Sequence, residues 1–174
     1  MINIDIKPDK FWKKFKSDNL KLWVKGCIYS HSIENIISIC KYIKKEEVPS
    51  FIASINGHFA LAVQRDKLTF LAVDKIRSTP LFFTKIKDNF FINSDPKNLI
   101  NLNNFDKLID KNARLEIAMS GFVIGNKTIY NKLHSLKAGE IVMFHENSYE
   151  YSKYYRYFGE IVNKSFEDYV EELS

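Results

Sequence analysis

The chain has 174 residues, 45% of them apolar, 14% aromatic and 27% charged, and a net charge of +5. That length suits one domain with a sizeable core, and the apolar share excludes wholesale disorder. No apolar run approaches the roughly 20 residues of a membrane-spanning helix, and Met1 to Lys16 lacks the apolar stretch of a secretory signal. Only four of the 26 basic residues are arginine, and the lysines form no stripe interleaved with aromatics. The charge therefore reads as a solvated surface, with neither nucleic acid nor membrane expected as a partner. With Cys27 and Cys40 as the only cysteines, no disulfide framework is expected, and a cytoplasmic setting fits.

Ile2 to Ile6 alternates strictly and predicts a strand, as does Leu20 to Tyr29, which ends near Gly26. Between them, Phe11, Trp12 and Phe15 suit a short helical turn or a packed loop. Residues 31–46 predict an amphipathic helix with Ile33, Ile36, Ile37, Cys40 and Ile43 on one face, capped by Ser30 or Ser32 and ended before Pro49. Four short apolar runs follow, at 58–63, 68–73, 81–84 and 90–92. Polar hairpins at Arg65-Asp66-Lys67 and Lys87-Asp88-Asn89 divide them. Their near-continuous apolar character predicts strands covered on both faces.

Helices are predicted at 95–101, opened by Asp95-Pro96, and near 106–119. Gly121 to Gly139 reads as a long connection, and Glu140 to Phe144 as a further strand. Sheet, then helices, then sheet, without βαβ alternation, predicts an α+β layered fold. At the end, Ser165 is placed to cap a helix over 166–173 that stops after barely two turns. Residues 161–174 are thus expected to begin a linker helix, after a domain spanning residues 1–160.

Searching by residue type gives little. His31, His58, His134 and His145 are scattered and neither cysteine belongs to a CxxC pair, so no metal site is expected. The nucleotide-phosphate loops and the GxSxG elbow are missing as well, so no cofactor is expected in this domain. Cys40 falls on the apolar helix face and reads as core, whereas Cys27, after Gly26 at a strand end, stands where a nucleophile might. Asp74 and Arg77 lie three apart after a strand and before Pro80, which predicts an Asp–Arg pair across a turn.

These residues also carry a resemblance. Asn56 to Val63, with Leu71 to Asp74 and Pro80 to Phe83, resembles the "G-x-F-A … R-D-x-x-G-x-x-P-L-Y-Y" core of class II glutamine amidotransferase domains. Asn93 to Leu99 is similar to that family's "S-E-x-K-A-L". Gly121 to Ile129 is similar to the "G-Y-x-P-x-x-x-T" of asparagine synthetase-type members. Leu136 to Glu140 resembles "L-P-P-G-x", Tyr154-Tyr155 the closing "Y-W", and Lys25 to Ser30 the "N-G-E-I-Y-N" segment. Ile76-Arg77-Ser78-Thr79-Pro80-Leu81-Phe82 resembles a divergent bacterial branch of asparagine synthase-related proteins. The resemblance spans roughly residues 21–158.

It implies the N-terminal-nucleophile hydrolase fold, an αββα sandwich of two mainly antiparallel sheets. It also implies a domain that hydrolyses glutamine and passes ammonia to a C-terminal synthetase domain using ATP and magnesium. That synthetase is then the expected partner, and a homodimer is compatible with it. The implied chemistry uses an N-terminal cysteine whose α-amine is the base. Here Ile2 stands in its place, Lys25 replaces the asparagine that completes the oxyanion hole, and Cys27 replaces the adjacent glutamate. The "R-G-P-D" and "G-D-x-E" segments that hold the substrate have no counterpart. No residue is therefore expected to be catalytic, and Lys25, Gly26, Cys27, Asp74 and Arg77 are expected to line a vestigial pocket. The expected role is structural and docking. The alternative readings are an anion or small-molecule site around Lys25 and Cys27, and a working enzyme using Cys27.

Overall fold

Two patterns of side-chain alternation build the molecule, as a computed structural model describing residues 1–17, 19–66 and 68–158 shows. The described residues form ten strands. They are β1 (Ile2–Ile4), β2 (Trp12–Lys16), β3 (Leu20–Ile28), β4 (Gly57–Arg65), β5 (Leu68–Val73), β6 (Phe82–Ile86), β7 (Asn89–Asn93), β8 (Leu133–Ser135), β9 (Glu140–Phe144) and β10 (Tyr149–Lys153). The helices are α1 (Ile33–Tyr42), α2 (Val48–Ser54), α3 (Pro96–Ile100) and α4 (Lys111–Ser120), with a 3-10 turn at Lys45–Glu47.

One sheet runs β10-β9-β5-β4-β3-β2 and is antiparallel throughout; the other runs β1-β7-β6-β8, with β1 parallel to β7. On the larger sheet, Leu22 and Val24 of β3, Leu61 and Val63 of β4, and Phe70 and Ala72 of β5 face α1 and α2. The intervening residues Trp23, Ala60, Ala62, Leu71 and Val73 face the smaller sheet, meeting Phe83, Phe90 and Ile92. A third cluster around Leu99, Phe105 and Leu133 covers the far side of the smaller sheet. The result is helix, sheet, sheet, helix: the α+β sandwich expected, with the apolar runs buried on both faces. No helix among the described residues is long and apolar enough to cross a membrane.

Several elements differ from expectation, each for a local reason. Trp12 and Phe15 lie on a strand, packing on opposite faces of the larger sheet, so their spacing is not helical. The helix predicted over 31–46 ends at Tyr42. Ser32 caps it by accepting the Asn35 N–H at 3.2 Å, while Arg65 donates to the Cys40 and Ile43 carbonyls at 3.1 and 2.7 Å, satisfying its last turn. Pro49 opens α2 instead of following a helix end, its missing N–H falling in the first turn where none is needed. The second later helix begins at Lys111, where Asp110 accepts two amide N–H bonds, and the connection after it contains β8. Lys67 and the helix expected over 166–173 lie outside the described residues.

Between the sheets and the solvent, His134 of β8 stacks on Phe83 at 5.2 Å between centroids. Burial, and secondarily the charge of Lys132, lowers its pKa below the ordinary 6.5. In that window the unfolded chain binds the proton more readily, so stability falls as pH drops below 6.5 and is unaffected above it. Urea midpoints measured at neutral pH and near about pH 5 are expected to separate in the native chain. His134→Phe should narrow that separation, and an unchanged gap would assign the pH dependence to other groups.

Candidate functional site

The residues expected to line a vestigial pocket lie toward one end of β3 and β4, where Gly26 and Gly57 bring the two backbones close. Gly26 has φ 108° and Gly57 φ 146°. A Cβ on Gly26 would stand 1.8 Å from the His58 carbonyl oxygen, and one on Gly57 would stand 2.2 Å from the Cys27 carbonyl oxygen. Each glycine is required by the opposite strand's backbone, not by a side chain.

Asp74 follows β5 and is fully buried. Its two carboxylate oxygens accept the amide N–H groups of Phe59 at 3.0 Å, Ile76 at 2.8 Å and Ser78 at 3.0 Å. Its own carbonyl accepts Arg77 N–H at 3.1 Å and Gly139 N–H at 2.9 Å. The predicted Asp–Arg pair is therefore not what closes the turn. Arg77 sits at φ 57° and donates to the Leu136 carbonyl at 3.3 Å. Backbone amides compensate the buried charge, and the turn spends the carboxylate fully.

Lys25 pairs across the ladders with Ala60 on one side and Trp12 on the other. Its ammonium lies 5.5 Å from the Phe11 ring, while Trp12 is buried in the inter-sheet core. Cys27 is exposed and lies directly across from His58. The register puts both on the face that also carries Lys25 and Ala60. His58 Nδ1 lies 3.1 Å from the Ser78 hydroxyl, and Tyr29 meets the imidazole edge-on at 6.4 Å. Sequence reading left His58 and Ser78 apart because their neighbourhood depends on pairing 31 positions distant along the chain, from Cys27 to His58. No short motif encodes such a register. Cys40 is core, as expected, and burial raises its thiol pKa to about 12, which removes it as a nucleophile. Just behind the site, the Tyr154 hydroxyl donates to the Val73 carbonyl at 2.8 Å, and burial with the Asp74 charge raises its pKa.

Two sizeable clefts among the described residues open away from this corner. One of about 610 Å³ lies at the opposite end of β4, lined by Lys41, Tyr42, Arg65 and His145 among others. A second of about 780 Å³ is lined by Ile2, Gln64, Thr69 and Phe144 among others.

A family model described as the glutamine amidotransferase domain matches residues 38–155, and the chain belongs to that family. Among solved structures it is similar to the glutamine phosphoribosylpyrophosphate (PRPP) amidotransferase from B. subtilis, complexed with ADP and GMP. The TM-score is 0.48 at 13% identity, over 82% of this chain and 31% of that one. The chain thus spans less than a third of that protein's length. No curated protein matches the chain.

Three substitutions separate backbone architecture from chemistry here. Asp74→Ala leaves three amides without acceptors in the interior and is expected to cost about 3–5 kcal/mol. Arg77→Ala removes one partly exposed bond to a carbonyl and is expected to cost about 1 kcal/mol. Gly26→Ala, clashing with backbone at an unfavourable φ, is expected to cost more than about 3 kcal/mol. Denaturant unfolding of the three variants measures all of these; an Arg77→Ala loss as large as that of Asp74→Ala would restore the ion-pair account.

Proposed function

We propose that this domain is the amidotransferase-like unit of an asparagine synthase-related protein, that it no longer hydrolyses glutamine, and that it serves as a structural and docking unit for an ATP-dependent, amide-forming synthetase domain. ATP and magnesium belong to that synthetase in this reading. The observation that carries the loss of activity is the packing of the N-terminal segment at the end of β3. Trp12 is buried between the sheets beside Lys25, and the Lys25 ammonium rests against Phe11. The resemblance assigns that ground to the glutamine-binding site, with an asparagine amide where Lys25 now stands.

The chemistry of the cysteines supports the same reading. The nitrogens of Cys27 and Cys40 are both tied into peptide bonds, so neither thiol has the neighbouring α-amine that acts as base in this mechanism. Lys25 and Arg77 are engaged with Phe11 and the Leu136 carbonyl, so an anion arriving at the alternative binding site would have to displace those contacts.

Incubation of the purified chain with glutamine, followed by measurement of glutamate, tests the proposal directly. Release no faster than in the protein-free control is expected. Release above that control, abolished by Cys27→Ala, would sink the proposal and make Cys27 the nucleophile.

A further inference from the structure

The open side of the sandwich, between the edge strands β8 and β10, holds a cavity of about 540 Å³. Its walls follow from strand alternation. Lys85 lies two residues beyond Phe83 on β6, and His134 pairs with Phe83 from β8, so both share the face toward the larger sheet. Tyr149 of β10 closes the cavity from that sheet. It meets Phe83 edge-on at 4.8 Å and the His134 ring at 5.7 Å. The Thr84 hydroxyl donates to the Lys132 carbonyl at 2.7 Å, which anchors the Lys132 backbone against β6. Lys87, in the turn beyond β6, and Asp106 line the cavity too.

Charge and chemistry select the class of ligand. Three lysines, Lys85, Lys87 and Lys132, line this cavity with one carboxylate, Asp106, which already accepts the Leu108 N–H at 3.0 Å. Lys87 and Lys132 make no ion pair among the described residues. Lys85 donates one of its three N–H groups to the Asn147 carbonyl at 2.7 Å, which holds its ammonium in place. Burial, and then the Lys132 charge, lower the His134 pKa, so the imidazole stays neutral while the cationic field reaches the cavity wall. The cleft beside Arg65 lacks this surplus. Arg65 is spent on the Cys40 and Ile43 carbonyls, and Lys45 and His145 both meet Glu150. Unopposed lysines beside aromatic rings suit a phosphate carried on a planar aromatic group, and the volume suits a small molecule.

We propose that this cavity binds an aromatic phosphomonoester, with Lys85, Lys87 and Lys132 taking the phosphate and His134 and Tyr149 the ring. It shares no lining residue with the corner of Lys25 and Cys27, so the glutaminase question and this one are decided separately.

The test is titration of the 174-residue chain with phenyl phosphate and, separately, inorganic phosphate, at about pH 7.5 where both are largely dianions. Binding is read from the His134 imidazole proton resonances, identified by their loss in His134→Gln. Saturable shifts are expected, with half-saturation near about 1 mM phenyl phosphate and at least about tenfold higher for inorganic phosphate. Lys87→Gln with Lys132→Gln should raise the phenyl phosphate value at least about tenfold. Lys13→Gln with Lys16→Gln, on β2, should leave it unchanged. Circular dichroism checks folding, and if the Lys87 and Lys132 pair fails to fold, Lys87→Gln alone takes its place. Shifts that never saturate overturn the proposal, and so does equal binding of the two probes, which leaves the rings without a part. Equal weakening by the two lysine pairs overturns it as unspecific attraction, and weakening by neither overturns it by placing the site elsewhere.

Discussion

The Asp74 carboxylate is the constraint around which this domain closes. A carboxylate without exposure to water is costly unless donors replace its hydration, and here three backbone amides do so. Those amides come from β4 and from the turn leading to β6, while the Asp74 carbonyl accepts Gly139 ahead of β9. One residue thereby joins the centre of the larger sheet, the crossing to the smaller sheet and the return strand. Glu140, also buried, repeats the device on a smaller scale by accepting the Lys137 N–H at 2.8 Å and the Asn126 amide. Asp74 is met by backbone amides, and Glu140 by amides together with the Lys137 ammonium at 3.9 Å.

Around that knot the sandwich depends on a difference in side-chain size between faces. The inter-sheet face of β4 carries Ala60 and Ala62, which leave room for Trp12 and Trp23 from neighbouring strands and for the aromatic rings of the smaller sheet. Phe83 and Phe90 pack edge-on against Phe144 at 5.2 and 5.1 Å. The Trp23 indole N–H finds the Ile6 carbonyl at 3.1 Å, so the chain entering β2 is held by a core side chain of β3. The helix-facing side of the same strands carries the larger aliphatics that α1 and α2 cover. Two cores on one sheet require both kinds of alternation at once.

Much of this was legible in the sequence, and the failures have specific causes. The near-continuous runs in β4 and β5 announced strands buried on both faces, because helices cover one side of the sheet centre and the smaller sheet the other. The alternation of β3 announced a strand as well. Trp12 and Phe15 misled because two residues on opposite faces of a strand are an odd number apart, as are neighbours on a helix. Pro49 misled because proline suits a first helical turn as well as a stop. Leu133 to Ser135, on β8 at a sheet edge, carries the mixed polarity of a half-covered strand and read as part of a connection, while the same mixed polarity gave no signal for β10 over Tyr149 to Lys153. Of the site residues, Asp74 and Arg77 were found but joined wrongly. Sequence spacing does not show that φ 57° at Arg77 turns its side chain toward Leu136. The placing of His58 opposite Cys27 rests on strand register, which only the assembled sheet supplies.

The glycines at the end of β3 and β4 bear on how a family site is to be read. In a glutaminase, a glycine beside the oxyanion position invites a catalytic explanation, since a free backbone N–H is useful there. Gly26 here has a sufficient explanation without chemistry, because the His58 carbonyl occupies the space of any Cβ. Gly57 has the reciprocal explanation from the Cys27 carbonyl. The fold thus requires glycine at positions 26 and 57 whether or not anything is bound there, and strand register places Lys25, Cys27 and His58 beside them. Under the reading of a lost glutaminase, that steric requirement accounts for glycine at both positions without a bound substrate.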